Sequence, residues 1–196
     1  MNIGTLISMT IGYTPTPAWL IVPFLATMHP LSYWAVPLLA DRARGLLQTG
    51  PLLPLLGLEK APDVTVAWAA VAVAFGMTYA SFYPSLLAAA VTSGYDNEEP
   101  RKRAELKSSK VHGRLMAAHA NMHEDFAPFA AAVAAASICC GADNCAPVAG
   151  AAWLHVGLRC AYWALYAFNI PAVRSVAFIM GWHCTLFVFR LAIWGA

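Results

Sequence analysis

A short segment near the centre of the chain concentrates polar side chains that could bind a ligand. The segment AAHANMHEDFAPF, residues 117–129, contains His119, Asn121, His123, Glu124 and Asp125, and the apolar run AAAVAAASICC follows it directly. Burying a polar group in hydrocarbon without a partner costs about 2–7 kcal/mol. We therefore expect a ligand or other parts of the chain to supply partners for this cluster.

Helical phasing separates these side chains into two faces, because successive residues are about 100° apart. One face contains Arg114, Ala117, Asn121, Glu124, Asp125 and Pro128, and the nearly opposite face contains His112, His119 and His123. Asn121 and Glu124, at i and i+3, can contact one ligand or an arginine of a neighbouring helix. His119 and His123 have the i, i+4 spacing of metal ligands, but no third ligand is in view, so we expect interfacial or core histidines and no metal.

Two further segments carry cations. Arg159 lies near the middle of an apolar segment, with Tyr166 on the same side, and should point into a bundle towards a carboxylate or an anionic ligand. Glu124 is the predicted protein partner. Arg174 and Ser175 open the next apolar segment, where a helix N-terminus adds partial positive charge.

Two interpretations of these groups are open. In the first they only hold helices together, with Arg159 paired to Glu124 and Asn121 bonded to backbone. In the second they bind glutathione, whose two carboxylates match arginine, whose ammonium matches Glu124 and whose amides match Asn121. Its thiol becomes nucleophilic as thiolate, which Arg174 or the hydroxyl of Ser175 would favour.

The composition indicates the elements that position these residues. The 196 residues are 60% hydrophobic and 11% charged, with a mean hydropathy of +0.59, which is typical of a multi-pass protein of the lipid bilayer. Four apolar segments are long enough to span it: residues 64–91, 115–140, 148–168 and 172–194. The sequence predicts an all-α, integral membrane four-helix bundle over residues 63–196.

Residues 1–62 form a separate, proline-rich apolar extension. Residues 19–39 are apolar, but Pro23, Pro30 and Pro37 each remove a helix hydrogen bond. We favour an interfacial or partner-packed segment over a kinked fifth span.

Six of the twelve Lys and Arg residues lie within 101–114. The positive-inside rule places this basic loop, residues 98–114, on the cytoplasmic or equivalent side, although the organelle stays open. No nucleic-acid motif accompanies the loop, so we expect no nucleic-acid partner.

Four motifs resemble, in order and spacing, the MAPEG family, membrane-associated proteins in eicosanoid and glutathione metabolism, most closely its bacterial-type branch. They are YDNEEPR (95–101), GRLMAAHANMHEDFAPFAAAV (113–133), LRCAYWALY (158–166) and RSVAF (174–178). The resemblance implies a homotrimer that binds glutathione between protomers. By position, His119, Asn121, Glu124, Arg159 and Tyr166 would bind it, and Arg174 and Ser175 would lie nearest the thiol.

Two functional hypotheses follow. The first is a glutathione transferase or peroxidase that acts on lipophilic substrates delivered from the bilayer. The second is a non-catalytic accessory subunit of a larger membrane assembly. The second gains weight because Ala120 stands where glutathione-using members have an arginine, the end of the first span lacks another arginine, and Phe178 replaces a tyrosine. The enzyme is favoured by the joint presence of six of these residues: Asn121, Glu124, Arg159, Tyr166, Arg174 and Ser175.

Overall fold

The computed structural model describes residues 18–93, 110–141 and 145–195, and the regular structure in these ranges is α-helical. The helices are α1 (Ala18–Thr49), α2 (Leu52–Leu55), α3 (Asp63–Ala80), α4 (Phe82–Ser93), α5 (Lys110–Cys139), α6 (Ala146–Ala167) and α7 (Pro171–Trp194). The predicted all-α fold class is confirmed. The motif YDNEEPR and most of the predicted basic loop lie outside the described residues.

The boundaries of α5, α6 and α7 follow from local backbone preferences. Pro147 and Pro171 lie in the first turns of α6 and α7, where the missing N–H has no helical partner to lose. Gly141, which follows α5, and Asn169, which follows α6, adopt positive φ angles of 70° and 60°. These are the residue types that tolerate the left-handed conformation at a helix end.

The predicted first span, residues 64–91, is divided into α3 and α4 at Ser81. Pro84 explains the break, because it has no N–H to donate to the carbonyl of Ala80 and its ring would clash with that carbonyl. The hydroxyl of Ser81 donates to the carbonyl of Thr78 (2.7 Å) and so satisfies one acceptor at the end of α3. The span is therefore interrupted at this serine.

Helix α6 is the centre of the bundle and packs against α1, α3, α5 and α7. Its first half is built from small residues that allow close approach: Ala149, Gly150, Ala151 and Ala152 are all buried. Trp153 extends towards α3 and donates its indole N–H to the carbonyl of Val66 (2.9 Å). The result is a core in which α6 is covered on nearly all sides.

Helix α1 is 32 residues long and contains all three prolines, Pro23, Pro30 and Pro37, within one helix. It packs against α6 and α7, and its Val36 and Ala40 are only 1% exposed. Near its C-terminal end, Arg44 forms a bidentate ion pair with Asp63 (2.8 and 3.3 Å), which fixes α1 to the start of α3. The interfacial or partner-packed role predicted for this extension stays a prediction.

Two helical segments in the described ranges have the length and hydropathy to cross a membrane, Asp63–Val91 and Pro171–Trp194. They correspond to the first and fourth of the predicted spans. Large apolar side chains are exposed around the bundle, among them Trp34, Leu87, Ile138, Phe168 and Trp194. Such a surface suits contact with lipid rather than water.

Candidate functional site

An open groove of about 510 Å³ lies between α1, α5, α6 and α7. Four of the predicted site residues line it: Asn121, Tyr166, Arg174 and Ser175. The remaining wall is largely aromatic or apolar, with Tyr162, Phe178, Ile179 and Trp182, and His29 of α1 completes it. The groove therefore combines one cation, several hydrogen-bonding groups and an apolar lining, which is the usual make-up of a small-molecule site.

Arg174 is the cation of this groove. It lies in the first turn of α7, and its guanidinium carbon is 4.0 Å from the centre of the Tyr166 ring. Among the described residues no carboxylate forms an ion pair with it. A stacked guanidinium keeps its edge donors available, so Arg174 can bind an anionic group in the groove.

Asn121 and Ser175 have part of their hydrogen-bonding capacity satisfied within their own helices. The Asn121 amide nitrogen donates to the carbonyl of Ala117 (2.8 Å), and the Ser175 hydroxyl donates to the carbonyl of Pro171 (3.1 Å). The amide oxygen of Asn121 has no partner among the described residues. Asn121 can therefore accept a hydrogen bond from a ligand, whereas Ser175 must give up a backbone bond in order to donate one.

Arg159 does not line the groove, and the predicted pairing of Arg159 with Glu124 is wrong. Arg159 is 2% exposed, and its partner is Asp125. The Arg159 Nε donates to Asp125 Oδ2 (2.6 Å), and Nη2 contacts Asp125 Oδ1. Its guanidinium also lies 5.3 Å from the Tyr162 ring and 5.2 Å from the Phe178 ring. Arg159 is thus positioned behind two aromatic residues of the groove wall.

The phase of α5 explains why Asp125 and not Glu124 is the partner. The buried side of α5 includes Ala118, Met122, Asp125, Phe129 and Ala132, at alternating spacings of four and three residues. Asp125 is the charged residue in this otherwise apolar register, which is the signal that could have identified it. Glu124 is about 100° away, is exposed and has no ion pair with the described residues.

His119 and His123 lie on the other side of α5 from the groove, as the two-face phasing predicted. The Nδ1 of His119 is 2.8 Å from the Ser81 hydroxyl at the break between α3 and α4. The rings of His119 and His123 make an edge contact at 4.5 Å, and His123 also contacts Tyr79. If His119 binds glutathione, as the resemblance implies, it does so outside the groove of its own chain.

Sequence reasoning missed two histidines. His155 is buried beside Asp125, and its Nε2 is 3.0 Å from Asp125 Oδ2. His155 lies four residues before Arg159 and therefore on the same helical face, so this spacing could have predicted that the two side chains lie close together. His29 lies at the groove with its Nδ1 3.0 Å from the Nε2 of His183. No sequence pattern linked these two residues, which are 154 positions apart.

Comparison with known proteins identifies the family. A search of curated proteins and a search of solved structures gave no match. The model of the MAPEG family matches residues 65–194, which is more than half of the chain and includes every predicted site residue. Together with the helical bundle and its lipid-suited surface, this match shows that the chain belongs to the MAPEG family of membrane proteins.

Proposed function

We propose that this protein binds glutathione in the groove and joins it through its sulfur to a lipophilic electrophile, or uses its thiol to reduce a lipid hydroperoxide. The observation that carries the proposal is Arg174, a cation without an ion-pair partner among the described residues, at the wall of an open and largely aromatic groove. An anionic thiol tripeptide supplies the missing charge. Family membership supports the same class of ligand.

The groove residues have distinct roles in this proposal. Arg174 binds the thiolate or a carboxylate through charge-assisted hydrogen bonds. Asn121 accepts from a peptide N–H, and the phenol of Tyr166 donates to a carbonyl or carboxylate oxygen. The thiolate then attacks an electrophilic carbon, forming a C–S bond as the leaving group departs, or attacks a peroxide oxygen. In the second case the O–O bond breaks, the alkoxide leaves and takes up a proton to become an alcohol, and the sulfur becomes a sulfenic acid. A second glutathione thiol then reduces the sulfenic acid, giving glutathione disulfide and water. Phe178 and Trp182 provide apolar surface for the lipophilic partner.

Glu124, His119 and Arg159 enter the proposal differently from the groove residues. Glu124 is exposed on α5, one turn from Asn121, so it could reach a ligand held by a neighbouring copy of the chain. The proposed homotrimer would supply that neighbour, and His119 would act in the same way. Arg159 is paired with Asp125 and buried, so we assign it to the support of the groove wall rather than to direct contact with the ligand.

Calorimetry of glutathione binding to the purified protein in detergent tests the proposal. We expect Arg174→Gln to weaken binding by about 10- to 100-fold, because a charge-assisted hydrogen bond contributes about 1.5–3 kcal/mol. Arg190→Gln is the matched control, since it removes the same charge from α7 at a site beside Tyr33, outside the groove. Absent binding, or equal effects of the two substitutions, would contradict a glutathione site here.

A second candidate, an accessory subunit of a larger membrane assembly, is favoured by one observation. The pairing of Arg159 with Asp125 leaves Arg174 as the cation lining the groove in the described part of the chain. Because glutathione carries two carboxylates, a single cation leaves one of them without a charged partner. Native electrophoresis of gently solubilised membranes separates the two candidates. An accessory subunit migrates at a mass far above that of a trimer, and the proposed enzyme migrates as the trimer.

A further inference from the structure

Three ionisable side chains meet in the interior of the bundle, away from the groove surface. Asp125 of α5 contacts His155 and Arg159 of α6, and the side chains of the two basic residues are each 2% exposed. Asp125 is 8% exposed. The ring of Phe129 stacks on the His155 ring at 3.9 Å with an interplanar angle of 3°. The cluster is therefore enclosed by protein.

The histidine of this cluster lies between two hydrogen-bond acceptors. Its Nδ1 is 3.0 Å from the carbonyl oxygen of Gly181 on α7, and its Nε2 is 3.0 Å from Asp125 Oδ2. A neutral imidazole has one N–H and one lone pair. If the Gly181 carbonyl receives that N–H, the remaining lone pair faces a carboxylate oxygen, and two lone pairs in contact repel each other. An additional proton between His155 and Asp125 removes this conflict.

We propose that Asp125, His155 and Arg159 form a buried proton-binding site. The Asp125–His155 pair holds one proton beyond those of a carboxylate and a neutral histidine, as an imidazolium that donates one N–H to Asp125 and the other to the Gly181 carbonyl. The carboxylate of Asp125 stays ionised between this imidazolium and the guanidinium of Arg159, which also remains charged. The cluster therefore has a net charge of +1.

The surroundings isolate this charge from water. A cavity of about 10 Å³ beside the cluster is lined by Ala74 and Thr78 of α3 among others, and it has room for one water molecule at most. Within the described ranges, the other titratable groups that interact with the cluster are Tyr162 on α6 and the buried thiol of Cys184 on α7. Neither of these groups is a carboxylate that could offset the net charge.

The net charge acts on the groove through its aromatic wall. The rings of Tyr162 and Phe178 contact the Arg159 guanidinium and also line the groove. One layer of aromatic side chains therefore separates the positive charge from the groove surface. The dielectric constant of the protein interior is low, so charges interact strongly across this layer. It favours an anion in the groove whatever the identity of that anion, so the proposal is independent of glutathione.

Nuclear magnetic resonance of the full-length protein in lipid bilayers, with labelled histidine and aspartate, tests the proton count. At about pH 8 an ordinary histidine is neutral, since its protonation midpoint is near 6.5. We expect the cluster to show two protonated nitrogens on His155 and an ionised carboxylate on Asp125. His119 is the internal reference, because the Ser81 hydroxyl can satisfy a neutral ring.

The variant Asp125→Asn separates proton binding from a purely structural role. Its side-chain amide can donate to His155 Nε2 while Nδ1–H donates to Gly181, so we expect a neutral ring with one protonated nitrogen. The wild-type protein alone decides the question if this variant does not fold. An unprotonated nitrogen on His155 at about pH 8 would overturn the proposal.

Discussion

Two adjacent acidic residues, Glu124 and Asp125, have opposite environments and therefore different functions. Asp125 is buried and bonds both His155 and Arg159, whereas Glu124 is exposed. Removing one partner of a buried ion pair is costly because the remaining charge has neither solvent nor counterion. We therefore expect the charge of Asp125 to contribute to the stability of the fold. The charge of Glu124 should affect ligand binding and not stability.

The substitution Asp125→Asn should lower the free energy of unfolding by about 3–5 kcal/mol, because it leaves the Arg159 guanidinium without a counterion. Glu124→Gln removes the same charge one residue away and should change stability by less than about 0.5 kcal/mol. Thermal unfolding in detergent, followed by circular dichroism, measures both. Similar midpoints for the two variants would mean that the buried pair is not important for stability.

At the scale of elements, α1 is fixed to the bundle by a close crossing with α6. Gly150 lies directly against the backbone of α1, so that a Cβ at this position would overlap the carbonyl of Ala40 and lie 3.2 Å from the Cβ of Arg44. Gly157, two turns later on the same helix, has open space at its Cβ position. This crossing also holds His29 of α1 at the groove.

Gly150→Ala should destabilise the protein by about 1–3 kcal/mol, because the added methyl group forces α1 and α6 apart. Gly157→Ala should be neutral or stabilising by up to about 1 kcal/mol, since alanine is the better helix former. Limited proteolysis between α1 and α3, combined with thermal unfolding, reports on the docking of α1. Equal behaviour of the two variants would indicate that the crossing is looser than the structure shows.

At the scale of the whole molecule, the bundle exposes large apolar side chains and encloses three ionisable side chains in its apolar core. Exposed side chains such as Trp34, Ile138 and Phe168 face outwards, while Asp125, His155 and Arg159 lie inside. A water-soluble protein has the reverse arrangement, since buried charges are rare and large exposed apolar surfaces promote association. The distribution is that of a protein dissolved in lipid, in agreement with its family.

We expect the two ends of α5, at Lys110 and Cys139, to lie on opposite sides of the membrane, because a helix of 30 residues is long enough to cross the bilayer. Single-cysteine reporters, Ser108→Cys and Asp143→Cys in a chain with its own cysteines replaced, test this topology. In sealed vesicles of uniform orientation, an impermeant thiol reagent should label one reporter and not the other. Labelling of both reporters from the same side would rule out the multi-pass arrangement, and labelling of both after solubilisation is the control.

The sequence by itself determined the all-α class of the protein, the places of α5, α6 and α7 and the faces of α5. These features follow from composition, from proline and glycine positions and from helical phase, all of which are local properties. The groove residues Asn121, Tyr166, Arg174 and Ser175 were also identified this way. The two faces of α5 were predicted from the rotation of about 100° per helical residue alone.

Only the tertiary structure decided which side chains meet. The apolar register around Asp125 indicates that this residue is buried, but its contacts with Arg159 and His155 depend on the rotation of α5 relative to α6, which no local pattern fixes. The contribution of His29 to the groove depends on the crossing of α1 at Gly150, far away in the chain. Contacts between helices depend on the packing of whole surfaces, and no local sequence pattern specifies such packing.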